Sequence, residues 1–206
     1  MKWAFLPLLA TALLAGDNTR LVYMKSFPGS TPAYTQIAVD MAGNAEYREA
    51  EDDDQPLKFK LAEADVHQVF ELVDKLDHFK HSLESPLKVA FMGMKTFRWV
   101  DGDQKAEVKF NYSEDLSAQA LLDWFERMAE SAQRRIDLER TAKYDRLGVF
   151  KALSLLGSSM DRKRLVAVDQ YLPMLDRIAN NESYMHTARV RASELAEAIR
   201  NPNPKP

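Results

Sequence analysis

The sequence predicts an α+β fold, an antiparallel β-rich N-terminal lobe with one packed helix followed by an all-helical C-terminal lobe. Three observations carry this. Apolar residues alternate along several short runs between 19 and 112. One stretch in that half, Ala62 to Phe79, instead spaces them by three and four. After Tyr112 no strand pattern returns.

The elements follow in order. Leu21, Tyr23 and Lys25 alternate with Val22, Met24 and Ser26 as a first strand. Pro28-Gly-Ser-Thr-Pro32 is a turn cluster, and Tyr34 to Asp40 a second strand. Ala42-Gly43-Asn44 signals a hairpin into a third strand, Ala45 to Glu49. Glu51 to Gln55 is an acidic loop, and Leu57, Phe59 and Leu61 mark a half-buried strand. Val66, Val69, Phe70, Val73, Leu76 and Phe79 give the helix 62–79 its apolar face. Residues 89–100 and 105–112 are two further strands, with Asp101-Gly102 expected as a type I′ turn. Ser113 or Asp115 can cap a long helix whose core face is Leu121, Trp124, Phe125 and Met128. Its polar middle, Ser131 to Asp137, is expected to be exposed. Leu147–Leu156, Leu165–Ile178 and Tyr184–Ile199 are later helices, broken at Gly157-Ser158-Ser159 and Asn180-Asn181. The domain reading is therefore 17–112 β-rich and 113–200 helical, with a disordered tail at 201–206.

Residues 1–16, MKWAFLPLLATALLAG, have the layout of a secretory signal peptide, with cleavage after Ala15 or Ala12. Lys2 is the n-region, Trp3 to Leu14 the apolar run, and Ala10, Ala12, Ala15 and Gly16 the small residues. The run is short for a membrane span, so a periplasmic or secreted chain without a transmembrane segment is expected. The 206 residues are 46% hydrophobic and 29% charged, which suits a packed globular core. A net charge of −3 offers no field for nucleic acid, and none is expected as partner. The absence of cysteine excludes disulfides, thiol catalysis and cysteine metal centres.

Gly29-Ser-Thr-Pro32-Ala-Tyr34, with Ile37, Val39, Gly43 and Tyr47, resembles a group of uncharacterised bacterial exported domains over about residues 20–80. That family often has cysteines flanking the turn; Ser26 and Thr31 lie near the equivalent places here. The resemblance implies location and fold, not chemistry. Read from the residues alone, the run is a structural turn that can also serve as a binding loop, with Gly29, Pro32 and Tyr34 as first candidates. Leu172-Pro173-x-Leu175-x-x-Ile178-Ala179 and Ala188-Arg-x-Arg-Ala192-x-x-Leu195-Ala196-x-x-Ile199 are similar to one HEAT-like helix pair. With no second copy at a fixed period, a small bundle is expected rather than an array.

His78 and His81 sit three apart beside Asp74 and Asp77 and could bridge a metal; His67 and His186 stand apart. No third ligand can be named, so no metal and no cofactor is assigned. Asp52-Asp53-Asp54 and Asp101-Gly102-Asp103 lack the alternate spacing of calcium loops. Arg162-Lys163-Arg164 reads as a solvated helix start, and Arg189 and Arg191 as a second basic pair. No catalytic residue is named. The expected function is a non-enzymatic protein-binding module whose partner is another envelope protein. The alternative is a hydrolase of an envelope or extracellular polymer, using carboxylates or His78 and His81 in a cleft between the lobes.

Overall fold

The computed structural model describes residues 19–202; the signal-peptide reading of 1–16 and the last four residues of the tail lie outside them. β1 (Arg20–Ser26), β2 (Tyr34–Asp40), β3 (Asn44–Arg48), β4 (Leu57–Lys60), β5 (Met94–Asp101) and β6 (Gln104–Phe110) form one antiparallel sheet in the order β4-β3-β2-β1-β5-β6. α1 (Glu63–Lys75) lies between β4 and β5 in the chain. α2 (Leu116–Tyr144), α3 (Val149–Asp161), α4 (Leu172–Ala179) and α5 (His186–Arg200) follow the sheet. The fold is α+β, with the strands in the N-terminal half and helices alone after them. No described helix is long and apolar enough to cross a membrane.

The period of two in the strands decides the layering. Tyr23 stands opposite Ile37 and Phe97, and Leu21 opposite Val39. These side chains share one face and are buried. α1 covers that face with Val66, Val69, Phe70 and Val73, and the first half of α2 with Ala118, Leu121, Phe125 and Met128. The rings of Tyr23 and Phe125 stack with centroids 4.8 Å apart. Each such side chain contributes roughly 1.5–3 kcal/mol by leaving water. Asp115 is the cap of α2, accepting from the amides of Ser117 and Ala118 at 2.7 and 3.0 Å. A second apolar core runs from Leu138 through α3, α4 and α5 to Ile199. The apolar interior thus divides inside α2, between Ala132 and Leu138, rather than at residue 113.

The middle of α2 is not exposed. Ser131 and Ala132 are buried and Gln133 to Asp137 half-buried. The segment 162–171 lies against this stretch. Ser131 Oγ accepts from the amide of Val166 at 2.8 Å, and Ser131 O accepts from the Tyr171 hydroxyl at 2.7 Å. Ser159 Oγ donates to Glu130 at 2.6 Å. A polar helix face is satisfied here by protein in place of water.

Other elements also differ from expectation. α3 runs through Gly157-Ser158-Ser159 without a break. A Cβ at Gly157 would collide with the Arg191 guanidinium, so this glycine serves the close approach of α3 and α5. α3 ends instead at Arg162, where the amides of Lys163 and Arg164 bond to the carbonyls of Met160 and Ser159 at 2.8 and 2.9 Å. This is a Schellman ending, and its left-handed position is held by Lys163 (φ 55°) where glycine is usual. Lys163→Gly is expected to stabilise the protein by about 1 kcal/mol, read as a higher urea midpoint; an unchanged or lower midpoint would contradict this account. Residues 165–178 are accordingly not one helix but a loop, a 3-10 turn at Val168–Tyr171, and α4. α1 stops at Lys75, and Asp77, His78 and Phe79 take positive φ, which still seats Phe79 in the core. Residues 89–93 lie outside β5. At the β5–β6 turn only Gly102 has positive φ, whereas a type I′ turn needs it at both central positions.

Candidate binding groove

At the end of the sheet where β1 stops and β5 starts, two loops and α2 enclose a groove. The first loop is a tight turn: the amide of Phe27 donates to Ala33 O at 2.8 Å, and Ser30 Oγ lies 2.7 Å from Phe27 O. Gly29 at its tip has φ +89° and faces open space. The second loop, 86–93, crosses Phe27 so closely that a Cβ on Gly93 would sit 2.8 Å from Phe27 Cβ. Between them lies a cavity of about 570 Å³, walled by Phe27, Met92, Phe110, Tyr112 and Leu122. A second, more polar cavity of about 430 Å³ adjoins it, lined by Tyr23, Pro32, Thr35, Glu130 and Gln133. Lys25 and Glu126 line both.

The electrostatics turn on two lysines. Lys25 and Lys95 stand directly opposite each other on β1 and β5, a like-charge pairing that disfavours the ladder. Lys95 is buried and spends its amine on backbone carbonyls, Asn111 O at 2.6 Å and Gly93 O at 3.0 Å. Burial, and then Lys25, hold its pKa below the usual amine value. Lys95→Met would strand those carbonyls. An expected loss of about 1–3 kcal/mol, with faster amide exchange across 91–93, tests the staple; unchanged exchange would remove it. Lys25 is half-buried and has no hydrogen-bond or ion-pair partner among the described residues. Asp123 and Glu130 are engaged by Arg164 at 2.5 and 3.4 Å, while Glu126 stands 3.8 Å from Arg164 and lines both cavities with Lys25. The Tyr23 hydroxyl is also buried without a partner, and burial and Glu126 push its pKa up.

The rim is apolar. Phe91 and Met92 are exposed here, Phe91 by 55%, and Leu87 and Val89 earlier in the same loop are exposed too, whereas Met94 lies on the opposite, open face of the sheet. Phe91 meets Phe27 edge to face at 5.8 Å. An exposed cluster of this kind marks an interaction surface more often than a bare accident of folding.

The sequence candidates are dispersed around this region. Pro32 lines the polar cavity and Gly29 the tip of its turn. Tyr34 points to the opposite, open face of the sheet, where it donates to Gln36 at 2.8 Å beside Met24 and Arg98. His78 packs on Trp99 with ring centroids 4.5 Å apart and reaches Asp74 at 3.2 Å, while His67, His81 and His186 are exposed. Among the described residues no group of three His, Asp or Glu side chains is placed to hold a metal ion. Asp53 caps the amide of Gln55 in its loop. Arg164 does not start a helix in solvent, because it binds the three carboxylates of α2 named above. Arg191 pairs with Glu194 at 3.2 Å and packs against Gly157.

No protein-family model matches the chain, and no curated protein is significantly similar to it. The groove therefore stands on its own geometry. Lys25, Lys95, Phe27 and Phe91 escaped the sequence reading as site residues. One signal was present: Lys25 shares the inward parity of Leu21 and Tyr23, and a charge on an apolar stripe calls for a partner.

Proposed function

We propose that the protein is a non-enzymatic binding module of the bacterial envelope that engages another envelope protein through the groove and its apolar rim. The observation that carries this is the exposed apolar loop with Leu87, Val89, Phe91 and Met92, which reaches through Met92 into a cavity large enough for side chains of a partner. The n-region, apolar run and small residues of 1–16 support export to the periplasm or beyond. The acidic groups at the junction of the lobes favour binding over hydrolysis, because each is already engaged. Glu139 pairs with Arg135 at 2.9 Å, Glu49 accepts from the Tyr47 hydroxyl at 2.9 Å, and Asp53 caps Gln55.

The test is affinity capture of the chain from the native envelope fraction after lysine crosslinking. A specific partner joined at Lys25 or Lys88, and lost in a Phe91→Ser, Met92→Ser variant, is the expected result. Crosslinks confined to other surfaces, or capture indifferent to the variant, would overturn this loop as the interface. Recovery of full-length chain with residues 1–16 intact in the cytoplasm would overturn the location.

A further inference from the structure

Resting on that reading, we infer that the groove takes a polypeptide segment of the partner that presents a carboxylate beside a large apolar side chain. The carboxylate meets Lys25, and the apolar side chain enters the cavity walled by Phe27, Phe110 and Leu122. The argument is one of charge complementarity. Two ammonium groups face each other across β1 and β5 in a chain of net charge −3. Lys95 is satisfied by backbone, which leaves Lys25 as a half-buried cation without a hydrogen-bond or ion-pair partner among the described residues; Asp123 and Glu130 hydrogen-bond Arg164, and Glu126 lines both cavities 3.8 Å from Arg164. An ammonium in partly apolar surroundings gains most from a charged acceptor that arrives with the ligand. Tyr23 also lines the polar cavity, with its hydroxyl buried and unpartnered. A peptide is favoured over a small amphipathic acid because exposed Met92 lines the cavity and exposed Phe91 packs on Phe27 of its wall. These two would stay bare around a small ligand, whereas a chain crossing the mouth would cover them.

Panning a phage-displayed library of random peptides against the whole chain tests this. Enrichment of Asp or Glu next to an aromatic or branched aliphatic residue is expected. A fluorescein-labelled peptide of that consensus should bind about tenfold more weakly to Lys25→Gln, the loss of one charge-assisted contact. It should also lose affinity for Gln119→Trp, where an exposed position on α2 is enlarged into the cavity. Both substitutions lie outside the apolar core, and circular dichroism verifies that they fold. Peptides without an acidic preference, or binding indifferent to Lys25→Gln, would overturn the inference. So would a groove that yields no peptide but binds dodecanoate in a Lys25-dependent way, which assigns it to free amphipathic acids. Envelope capture that survives Lys25→Gln and Gln119→Trp yet fails in Phe91→Ser, Met92→Ser overturns this inference alone and leaves the wider reading standing.

Discussion

Above pH 10 the protein is expected to lose stability at about 4 kcal/mol per pH unit, and so to unfold within a few units. Tyr23, Tyr47 and Tyr171 are each 1% exposed, and burial raises all three phenols well above their ordinary value of 10.0. In the unfolded chain they ionise near 10; in the folded chain they keep their protons. The folded state therefore binds more protons above pH 10, and stability falls as pH rises. Each group accounts for about 1.4 kcal/mol per unit, fully retained below pH 10. Lys95 acts in the opposite sense. Its pKa is lowered, so its effect grows with pH up to the unfolded value of 10.5 and then ceases. Urea titrations at stepped pH should show the slope, and Tyr171→Phe should reduce it by about a third. A flat profile between pH 10 and 11 would mean that these phenols reach water in the folded state. Tyr23→Phe is the sharper variant. It removes a buried hydroxyl with no partner, and a gain of about 1 kcal/mol at neutral pH is expected together with the shallower slope. If that gain comes with weaker peptide binding, the orphan hydroxyl is a stability cost retained for the groove.

Gly43→Ala is expected to cost about 2–4 kcal/mol. Gly43 has φ +82°, and an added Cβ would lie 2.9 Å from Val66 Cγ2 and 3.0 Å from the carbonyl of Leu61. That carbonyl cannot move freely, because the amide of Leu61 donates to Gly43 O at 2.9 Å and ties the β2–β3 turn to the entry of α1. Gly102→Ala is the control. Its φ is +54° with nothing near the added atom, so it carries the backbone term alone, about 1–2 kcal/mol. Equal losses at the two sites would show that the clash contributes nothing.

The strands, α1 and the core face of α2 were legible because each repeats a simple period over enough residues to exclude the other. Leu121, Phe125 and Met128 carry the period of α2 without ambiguity, and all three are fully buried. The errors fall where a side chain plays a role usually given to another. Glycine marks helix ends by propensity, but Gly157 sits inside α3 to admit Arg191, while a lysine takes the left-handed end at 163. The polar run Ser131–Asp137 has the composition of a solvated face, yet its partners, Val166 and Tyr171, come from 35 and 40 residues along the chain. No local pattern announces such a contact. The groove is half legible: the turn at Gly29–Pro32 shows in the sequence, but Tyr34, close to it in sequence, is sent by strand parity to the other face. Its charge came from register, since only the pairing of β1 with β5 brings Lys25 against Lys95.

The placement of Val166 among the residues of the sheet core bears on how such a chain can be inherited. The helical half lends that side chain to the other core, and α2 lends its first turns, so neither half closes its interior alone. A recombination event that cut within α2, or exchanged one half for a stranger, would leave Leu121, Phe125 and Met128 or Leu138 and Ala142 without the surfaces they evolved to meet. The chain is accordingly expected to tolerate exchange of its loops but not of either half.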